Sequence, residues 1–311
     1  MKKSVRHHLT ISEIRESWAA IGFLTPAFFG LIFITYIPLF AVFAISLFKW
    51  APIMPKPIWV GFANYKKMFG MDLPMLTNSI KVTVLFALMS VVGSMIYSMF
   101  LAILLNRKMP ARGFFRAVFY LPYIIPATAT YTTWRFLLDA NFGALNGLRS
   151  SLGLQKIGFL IDPKYIIPSL ALITIWISGN LVVVKLAGLG NVPRVYYEAA
   201  EIDGANAWTR FWRITIPCMS PIIFYNMLMS LVTNMQSFIP SWMYAGSNRI
   251  VYPEYNTISY IIYQKAFGQG QSDMGYASAL SVIFFVIVGL LTLALFATSK
   301  SWLFYEGGTD K

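Results

Sequence analysis

Long apolar stretches, separated by short polar segments, cover most of this chain. Six intervals that lack Asp, Glu, Lys and Arg reach about the 18 residues that a membrane-spanning helix needs. They predict spans at about 18–48, 82–106, 117–134, 165–184, 214–246 and 274–299. A charge in hydrocarbon is costly unless it is paired or hydrated, so charge-free intervals mark spans more sharply than periodicity does. The pattern predicts an all-α integral membrane protein with six transmembrane helices.

The composition supports the same class of protein. Of the 311 residues, 57% are hydrophobic and 12% are charged, and the mean hydropathy is +0.62, which departs from a soluble domain. We expect a polar tail, residues 1–16, and one membrane domain, residues 17–311. The first apolar stretch is longer than a signal-peptide core, so we expect it to remain as an anchor. The net charge of +13 is scattered between apolar segments, which favours membrane orientation over nucleic-acid binding.

The distribution of basic residues predicts which ends face the cytoplasm. Six spans place both termini on one side of the membrane. Lys and Arg concentrate in the N-terminal tail and in the loop between the second and third spans: Lys2, Lys3, Arg6, Arg15, Arg107, Lys108, Arg112 and Arg116. Positively charged short loops stay cytoplasmic, so both termini are expected there, together with the loop between the fourth and fifth spans.

Residues 192–217, which we call the elbow, form a polar insert between the fourth and fifth predicted spans. Pro193 fits the first position of a helix, and Gly204 supplies a left-handed residue to end it. Asn206 can then cap a second helix that runs through Arg213. The elbow is therefore expected to be a helix-turn-helix.

The first arm of the elbow exposes three acidic residues, Glu198, Glu201 and Asp203. Asp203 falls in the last helical turn, where the helix dipole disfavours an anion, so a local rule is broken without a local gain. This pattern indicates a basic partner outside the chain. The alternative is a solvated connector with an internal Arg194–Glu198 pair, worth about 0.2–0.5 kcal/mol.

The fifth span carries a polar stripe. On a helix its polar side chains share an arc of about 100°: Asn226, Ser230, Thr233, Asn234, Ser237 and Ser241. Polar groups that face lipid would lack partners, so the stripe faces either other helices or a water-filled cavity. Four aromatic residues fit either stacking on sugar rings or an interfacial belt: Trp176, Tyr225, Trp242 and Tyr244.

Two other spans carry packing signals. The second span repeats small residues at a spacing of four, a ridge that lets another helix approach closely: Ser90, Ser94, Ser98 and Ala102. The third span contains Pro122 and Pro126, which remove backbone donors and predict a bend or a break.

The elbow contains Glu198-Ala199-Ala200, then Gly204, then Ile214-Thr215-Ile216-Pro217. This spacing resembles the EAA loop of permease subunits in binding-protein-dependent ABC importers. Similar blocks follow in the family's order: Gly61-Phe62-Ala63-Asn64-Tyr65, Leu104-Leu105-Asn106-Arg107, Arg112-Gly113-Phe114-Phe115-Arg116, Leu121-Pro122-Tyr123, Asn141-Phe142-Gly143 and Gly275-Tyr276-Ala277-Ser278-Ala279. Together they resemble the maltose-type, carbohydrate-uptake group, which implies a type I ABC importer permease fold.

The resemblance implies a permease subunit that translocates a sugar or oligosaccharide delivered by an external solute-binding protein. The implied partners are a second homologous permease and two cytoplasmic ABC ATPase subunits, in the cell (inner) membrane of a bacterium or archaeon. The implied ATPase-coupling residues are Glu198, Ala199, Ala200, Asp203, Gly204 and Pro217. The candidate solute path is Asn226, Ser230, Thr233, Asn234 and Ser237.

The sequence lacks the motifs of an enzyme. It contains no G-x-x-x-x-G-K-[ST] phosphate loop, no H-E-x-x-H and no G-x-S-x-G. We therefore expect no catalytic residue, metal or cofactor in this chain, with ATP and magnesium bound by the partner ATPase. The single cysteine, Cys218, excludes an internal disulfide.

Two alternative classes of function compete with the importer. A self-contained, ion-coupled secondary transporter would place an ionisable group within the bundle, and none lies in the six intervals. A non-catalytic membrane scaffold would need neither the polar stripe nor the acidic elbow.

Overall fold

The computed structural model describes residues 11–51, 53–245, 252–268 and 272–304, which are mostly helical. The helices are α1 Ile11–Gly30, α2 Ile37–Ile45, α3 Ala63–Phe69, α4 Leu73–Asn106, α5 Arg112–Ile124, α6 Ala127–Leu137, α7 Ala144–Ser151, α8 Pro163–Trp176, α9 Gly179–Asn191, α10 Arg194–Ile202, α11 Ala207–Arg210, α12 Ile216–Met235, α13 Ile239–Ala245, α14 Ile258–Phe267 and α15 Met274–Ser299. Strands β1 Phe48–Lys49 and β2 Ile58–Trp59 pair antiparallel. Two π-helical segments, Leu31–Tyr36 and Phe211–Thr215, join α1 to α2 and α11 to α12, and a 3-10 turn spans Pro253–Tyr255.

The expectation of a predominantly helical membrane protein is confirmed, whereas helix length and hydropathy alone identify fewer than six candidate spans. In the described part of the chain, four helical stretches are long and apolar enough to cross a membrane: Trp18–Ile45, Leu73–Asn106, Ala207–Ala245 and Met274–Ser299. The pair α8 and α9, bent by 50°, provides a fifth if it counts as one span. The third predicted span is broken into α5 and α6 at Ile125 and Pro126, the break that Pro126 predicts.

Several helix ends differ from the predicted span limits, since charged residues on a helix surface do not end the helix. Helix α4 begins at Leu73 rather than at residue 82, since Lys81 is exposed on its surface and does not interrupt it. The first helical stretch, α1 through α2, begins at Ile11, inside the predicted tail, and ends at Ile45, whereas Phe48 lies in β1. The fifth predicted span ends in a separate helix, α13, and its last residue, 246, lies outside the described residues.

The chain divides into two compact units, Met1–Lys66 with Lys265–Val282 and Lys67–Gln264 with Ile283–Lys311. In the first unit, Asn64 donates from Nδ2 to the carbonyl oxygens of Ser46, at 2.8 Å, and Phe48, at 2.9 Å. A Cβ added to Gly275 would lie 1.8 Å from the Phe48 carbonyl oxygen, so no larger residue fits there. The sequence blocks around Asn64 and Gly275 therefore serve the fold of this unit.

Helix α4 is the central element of the second unit, where it packs against α8, α9 and α12. Its ridge of small residues is buried, with at most 2% exposure: Ser90, Ser94, Ser98 and Ala102. A Cβ added to Gly93 would lie 2.2 Å from Cδ1 of Ile175, which shows how closely α8 approaches. The interpretation of this ridge as a packing surface is consistent with that burial.

Two buried tyrosines form hydrogen bonds between distant segments of the second unit. The hydroxyl of Tyr244 donates to the carbonyl oxygen of Tyr131 at 2.7 Å, and that of Tyr255 donates to the carbonyl oxygen of Leu160 at 2.7 Å. Burial raises the pKa of Tyr255, so its hydroxyl stays protonated and keeps this donor role. These bonds attach α13 and the 3-10 turn to the core.

Candidate functional site

The turn of the elbow has the predicted geometry. Gly204 adopts a φ of +75°, a left-handed conformation that costs glycine little. The chain then closes through a bond from the Ala205 nitrogen to the Ala200 carbonyl oxygen, at 2.8 Å. The side-chain oxygen of Asn206 accepts from the Thr209 nitrogen at 2.8 Å, which is the predicted N-cap.

Both arms of the elbow differ from prediction at their ends. Pro193 is the N-cap of α10 rather than its first residue. The second arm does not stop at Arg213, because the helical path continues through a π-helical segment into α12. Pro217 therefore lies within a continuous helical path, at the start of α12. Proline has no backbone N–H, and it is tolerated at that position.

The base of the elbow is fixed to three helices. Val192, with 7% exposure, forms a buried apolar cluster with Met99 of α4 and Met219 of α12. Leu189 of α9 packs against the same cluster. We call these four residues the elbow base. A displacement of the elbow must therefore act on α4, α9 and α12 together.

The outer surface of the elbow is exposed. Helix α10 has no buried residue, and Glu198 forms no ion pair or side-chain hydrogen bond within the described part of the chain. The Arg194–Glu198 pair of the connector interpretation is absent from it; instead Glu201 pairs with Arg210, with an oxygen–nitrogen distance of 3.5 Å. Ala199 is exposed and Ala200 half-buried, while Asp203 is the C-cap.

Two large apolar side chains of the elbow are also exposed. Ile202 is 88% exposed and Trp208 is 70% exposed. Exposed apolar groups beside an acidic side chain without an internal partner are typical of a protein-binding surface.

A second feature is a cavity of about 360 Å³ in the second unit, which we call the cavity. It is lined by Ser94, Tyr123, Thr174, Ile177, Ser178, Asn180, Leu181, Val184, Tyr225, Asn226, Met229, Ser230, Thr233 and Asn234. None of these described lining residues carries a charge. Four members of the predicted stripe, from Asn226 to Asn234, meet here, so the stripe faces a cavity within the bundle.

The rest of the stripe lies elsewhere. Helix α12 ends at Met235, so Ser237 does not continue the face and is not among the lining residues. The hydroxyl of Ser241 lies 3.0 Å from that of Thr257, in a buried pair. The prediction of one straight helix therefore carries the polar stripe beyond Met235, where α12 ends.

The cavity has both satisfied and unsatisfied polar groups. Asn234 donates from Nδ2 to the Ser230 carbonyl oxygen at 2.8 Å. Asn226 is 1% exposed, and its Nδ2 has no hydrogen-bond partner among the residues that the structure describes. A buried amide donor without a partner is costly, so this group fits a bound hydroxyl or water.

Of the four aromatic residues that fit sugar stacking, only Tyr225 lines the cavity. Trp176 packs edge-on against Trp134, Trp242 stacks on Phe238, and Tyr244 is buried.

Five further polar residues, which are not part of the predicted solute path, line the cavity: Ser94, Tyr123, Thr174, Ser178 and Asn180. The Ser-Gly-Asn run at 178–180, inside a predicted span, is the available signal for the bend between α8 and α9.

The expectation that the bundle holds no ionisable group is wrong. The fourth predicted span stopped at residue 184 because Lys185 follows, yet α9 continues to Asn191 and Lys185 is 1% exposed. Its ammonium donates to the Met95 carbonyl oxygen at 3.1 Å and to Oγ of Ser98 at 2.5 Å. Hydrogen-bond acceptors on another helix, α4, stabilise this charge inside the bundle.

Comparison with known proteins identifies relatives of the whole chain. The chain is 36% identical over 296 residues to the probable ABC transporter permease protein YesP of Bacillus subtilis, covering 94% of each chain. It is 27% identical over 286 residues to the trehalose/maltose transport system permease protein MalF of Thermococcus litoralis, covering 91% of this chain and 94% of MalF.

A solved structure shares the fold. It is a chain of the bacterial alginate ABC transporter in complex with an alginate pentasaccharide-bound periplasmic protein. The two chains superpose with a TM-score of 0.80 at 22% identity, over 93% of this chain and 96% of the other. The sequence profile of one family matches residues 94–302, which contain the elbow and the cavity. The chain belongs to the family of inner-membrane components of binding-protein-dependent transport systems.

Proposed function

We propose that this chain is one of two homologous permease subunits of an ATP-driven importer for a sugar or oligosaccharide. The observation that carries the proposal is the exposed α10, which is followed by the turn at Gly204 and carries Glu198 without an ion-pair partner among the described residues. Relatives named for trehalose/maltose and alginate transport support a carbohydrate as the solute. Two cytoplasmic ABC ATPases would supply the energy, and an external solute-binding protein would deliver the sugar.

We infer that α10 docks into a cleft of the ATPase. Ala199 and Ala200 permit close approach, and Glu198 meets a basic or amide group in a charge-assisted hydrogen bond. Exposed Ile202 and Trp208 add apolar contact area beside this bond. ATP and magnesium would bind to the ATPase, so this chain has no catalytic step of its own.

The cavity is the proposed part of the solute path in this subunit. Hydroxyl and amide groups match the hydrogen bonds of sugar hydroxyls, and the rings of Tyr123 and Tyr225 match apolar sugar faces. Asn226 is the proposed donor to the sugar, since its Nδ2 has no hydrogen-bond partner in the described ranges of the chain.

The proposed topology has six spans, with α5–α6 and α8–α9 each counted as one, and both termini in the cytoplasm. In a Cys218→Ser background, a thiol probe at Ser150 should react from outside intact cells. A probe at Asn206 should react only after permeabilisation. The reverse pattern would contradict the placement of the elbow beside an ATPase.

The function itself is tested by reconstituting the chain with its cognate ATPase, second permease and binding protein. Uptake of labelled sugars from a panel of mono- and oligosaccharides should require ATP and the binding protein. Uptake by the chain alone, driven by a proton gradient, would instead support the secondary transporter. Lys185 is the buried ionisable group that such a transporter would use.

A further inference from the structure

Lys185 is the only charged residue among the described residues that is fully buried. All its hydrogen bonds go to one neighbouring helix, α4, through the Met95 carbonyl oxygen, the Met95 sulfur and the Ser98 hydroxyl. No carboxylate in the described part of the chain lies within 4.0 Å of its ammonium. Among the described residues, the ammonium charge is therefore stabilised by uncharged hydrogen-bond acceptors.

Packing does not explain a lysine at this position. A methionine has nearly the same length and shape and would fill the same space without a buried charge. Replacing a buried charge by an apolar side chain of similar volume is commonly neutral or stabilising. Ionisable residues inside membrane spans are costly and are typically functional. The lysine therefore contributes something that apolar packing does not.

The position of Lys185 along α9 is informative. Leu181 and Val184 line the cavity on one side of it, whereas Leu189 packs against the elbow base on the other. Lys185 lies between these two groups, and the same helix connects them.

Along α4, the contacts follow the same order from the cavity to the elbow base. Ser94 lines the cavity, Met95 and Ser98 receive the hydrogen bonds of Lys185, and Met99 belongs to the elbow base. The lysine thus joins the two helices in the layer between the cavity and the elbow.

Apolar contacts between membrane helices do not fix their register strongly, because lipid tails offer the helices similar contacts. Directional hydrogen bonds from an ammonium to a backbone carbonyl and a hydroxyl do fix it. We propose that Lys185 is a positioning residue that locks α9 to α4, so that a displacement of the elbow moves both helices and changes the cavity. This inference rests on the proposed coupling of the elbow to an ATPase.

The test measures how the cavity responds to nucleotide. In the complete importer complex carrying Cys218→Ser, Ser230→Cys places a thiol in the cavity, and its maleimide labelling rate is compared without nucleotide and after vanadate trapping with ATP. We expect the rate to change by roughly tenfold, and the change to fall below about twofold when Lys185→Met is added, while ATPase co-purification and ATP hydrolysis persist. A residue that only stabilised the fold would not remove the response selectively.

Two further variants complete the design. Lys81→Met removes an exposed lysine from α4 and should leave the nucleotide response unchanged. Ser98→Ala removes one hydrogen-bond acceptor of Lys185 and should partly reduce the nucleotide response. If the Lys185→Met complex does not assemble, the Ser98→Ala variant tests the proposal in its place.

An unchanged response in Lys185→Met overturns the proposal, as does an unchanged response in Ser98→Ala when only that variant assembles. A background complex that binds its ATPase but shows no nucleotide response contradicts the proposed function, and the role of Lys185 with it.

Discussion

The elbow and the cavity place polar side chains in opposite environments. In the elbow, Glu198 is exposed and has no ion-pair partner within the part of the chain that the structure describes. In the cavity, Asn226 is 1% exposed and its amide nitrogen has no hydrogen-bond partner within that same part. An exposed carboxylate is hydrated by water, so the lack of a protein partner costs it little free energy. A buried amide donor without a hydrogen bond is costly, so it fits a bound molecule that accepts one. The contrast indicates a protein partner for the elbow and a small polar occupant for the cavity.

The largest expected effect comes from disabling the elbow. Glu198→Ala with Gly204→Val should reduce uptake by about 100-fold or more, with normal membrane insertion and permease pairing. The charge for the partner is lost, and valine at a φ of +75° strains the turn by about 1–2 kcal/mol. Retention of the ATPase during purification should weaken in parallel. Normal transport with a full complement of bound ATPase would show that the elbow is only a connector.

Changes in the cavity should spare assembly. Asn226→Leu or Asn234→Leu should lower sugar uptake by roughly tenfold, because a hydrogen bond to the solute is lost, while ATPase retention is unchanged. Ser237→Ala is the matched control, since Ser237 is not among the lining residues, and its uptake should stay near normal. If uptake survives with Asn226, Ser230 and Asn234 all made apolar, the stripe is only packing.

The smallest effect is expected from the internal ion pair of the elbow. Glu201→Ala breaks the contact with Arg210. The side chain of Glu201 is 72% exposed and that of Arg210 is 27% exposed. An exposed pair of this kind contributes at most about 1 kcal/mol, so uptake should stay within about threefold of the unmodified protein. A loss as large as that of the Glu198 variant would mean that folding of the elbow, rather than its contact with a partner, sets transport.

Local features of the elbow could be predicted from the sequence because neighbouring residues determine them. Gly204 and Asn206 act on backbone groups within a few positions, so the turn and the cap are encoded locally. The shared face of Asn226 and Ser230 likewise follows from helical periodicity.

Distant features could not be predicted in the same way. Charge-based span limits failed at Lys185 because Ser98, its hydrogen-bond partner, lies 87 positions away in the sequence. Tyr123 and Thr174 reach the cavity from other helices, and no pattern on their own segments indicates it. The sequence predicts a stripe that continues through Ser237, because no glycine or proline marks the end of α12 between Met235 and Pro240.

The central claim, that the elbow contacts a cytoplasmic ATPase, is tested most directly by site-specific photo-crosslinking in the native membrane. A photoreactive residue is placed at position 198 and, as control, at position 150 in α7. The account predicts a crosslink to the ATPase from position 198 and none from position 150. If position 198 crosslinks only to lipid or to the external binding protein, the elbow is not the contact with the ATPase and the account is contradicted.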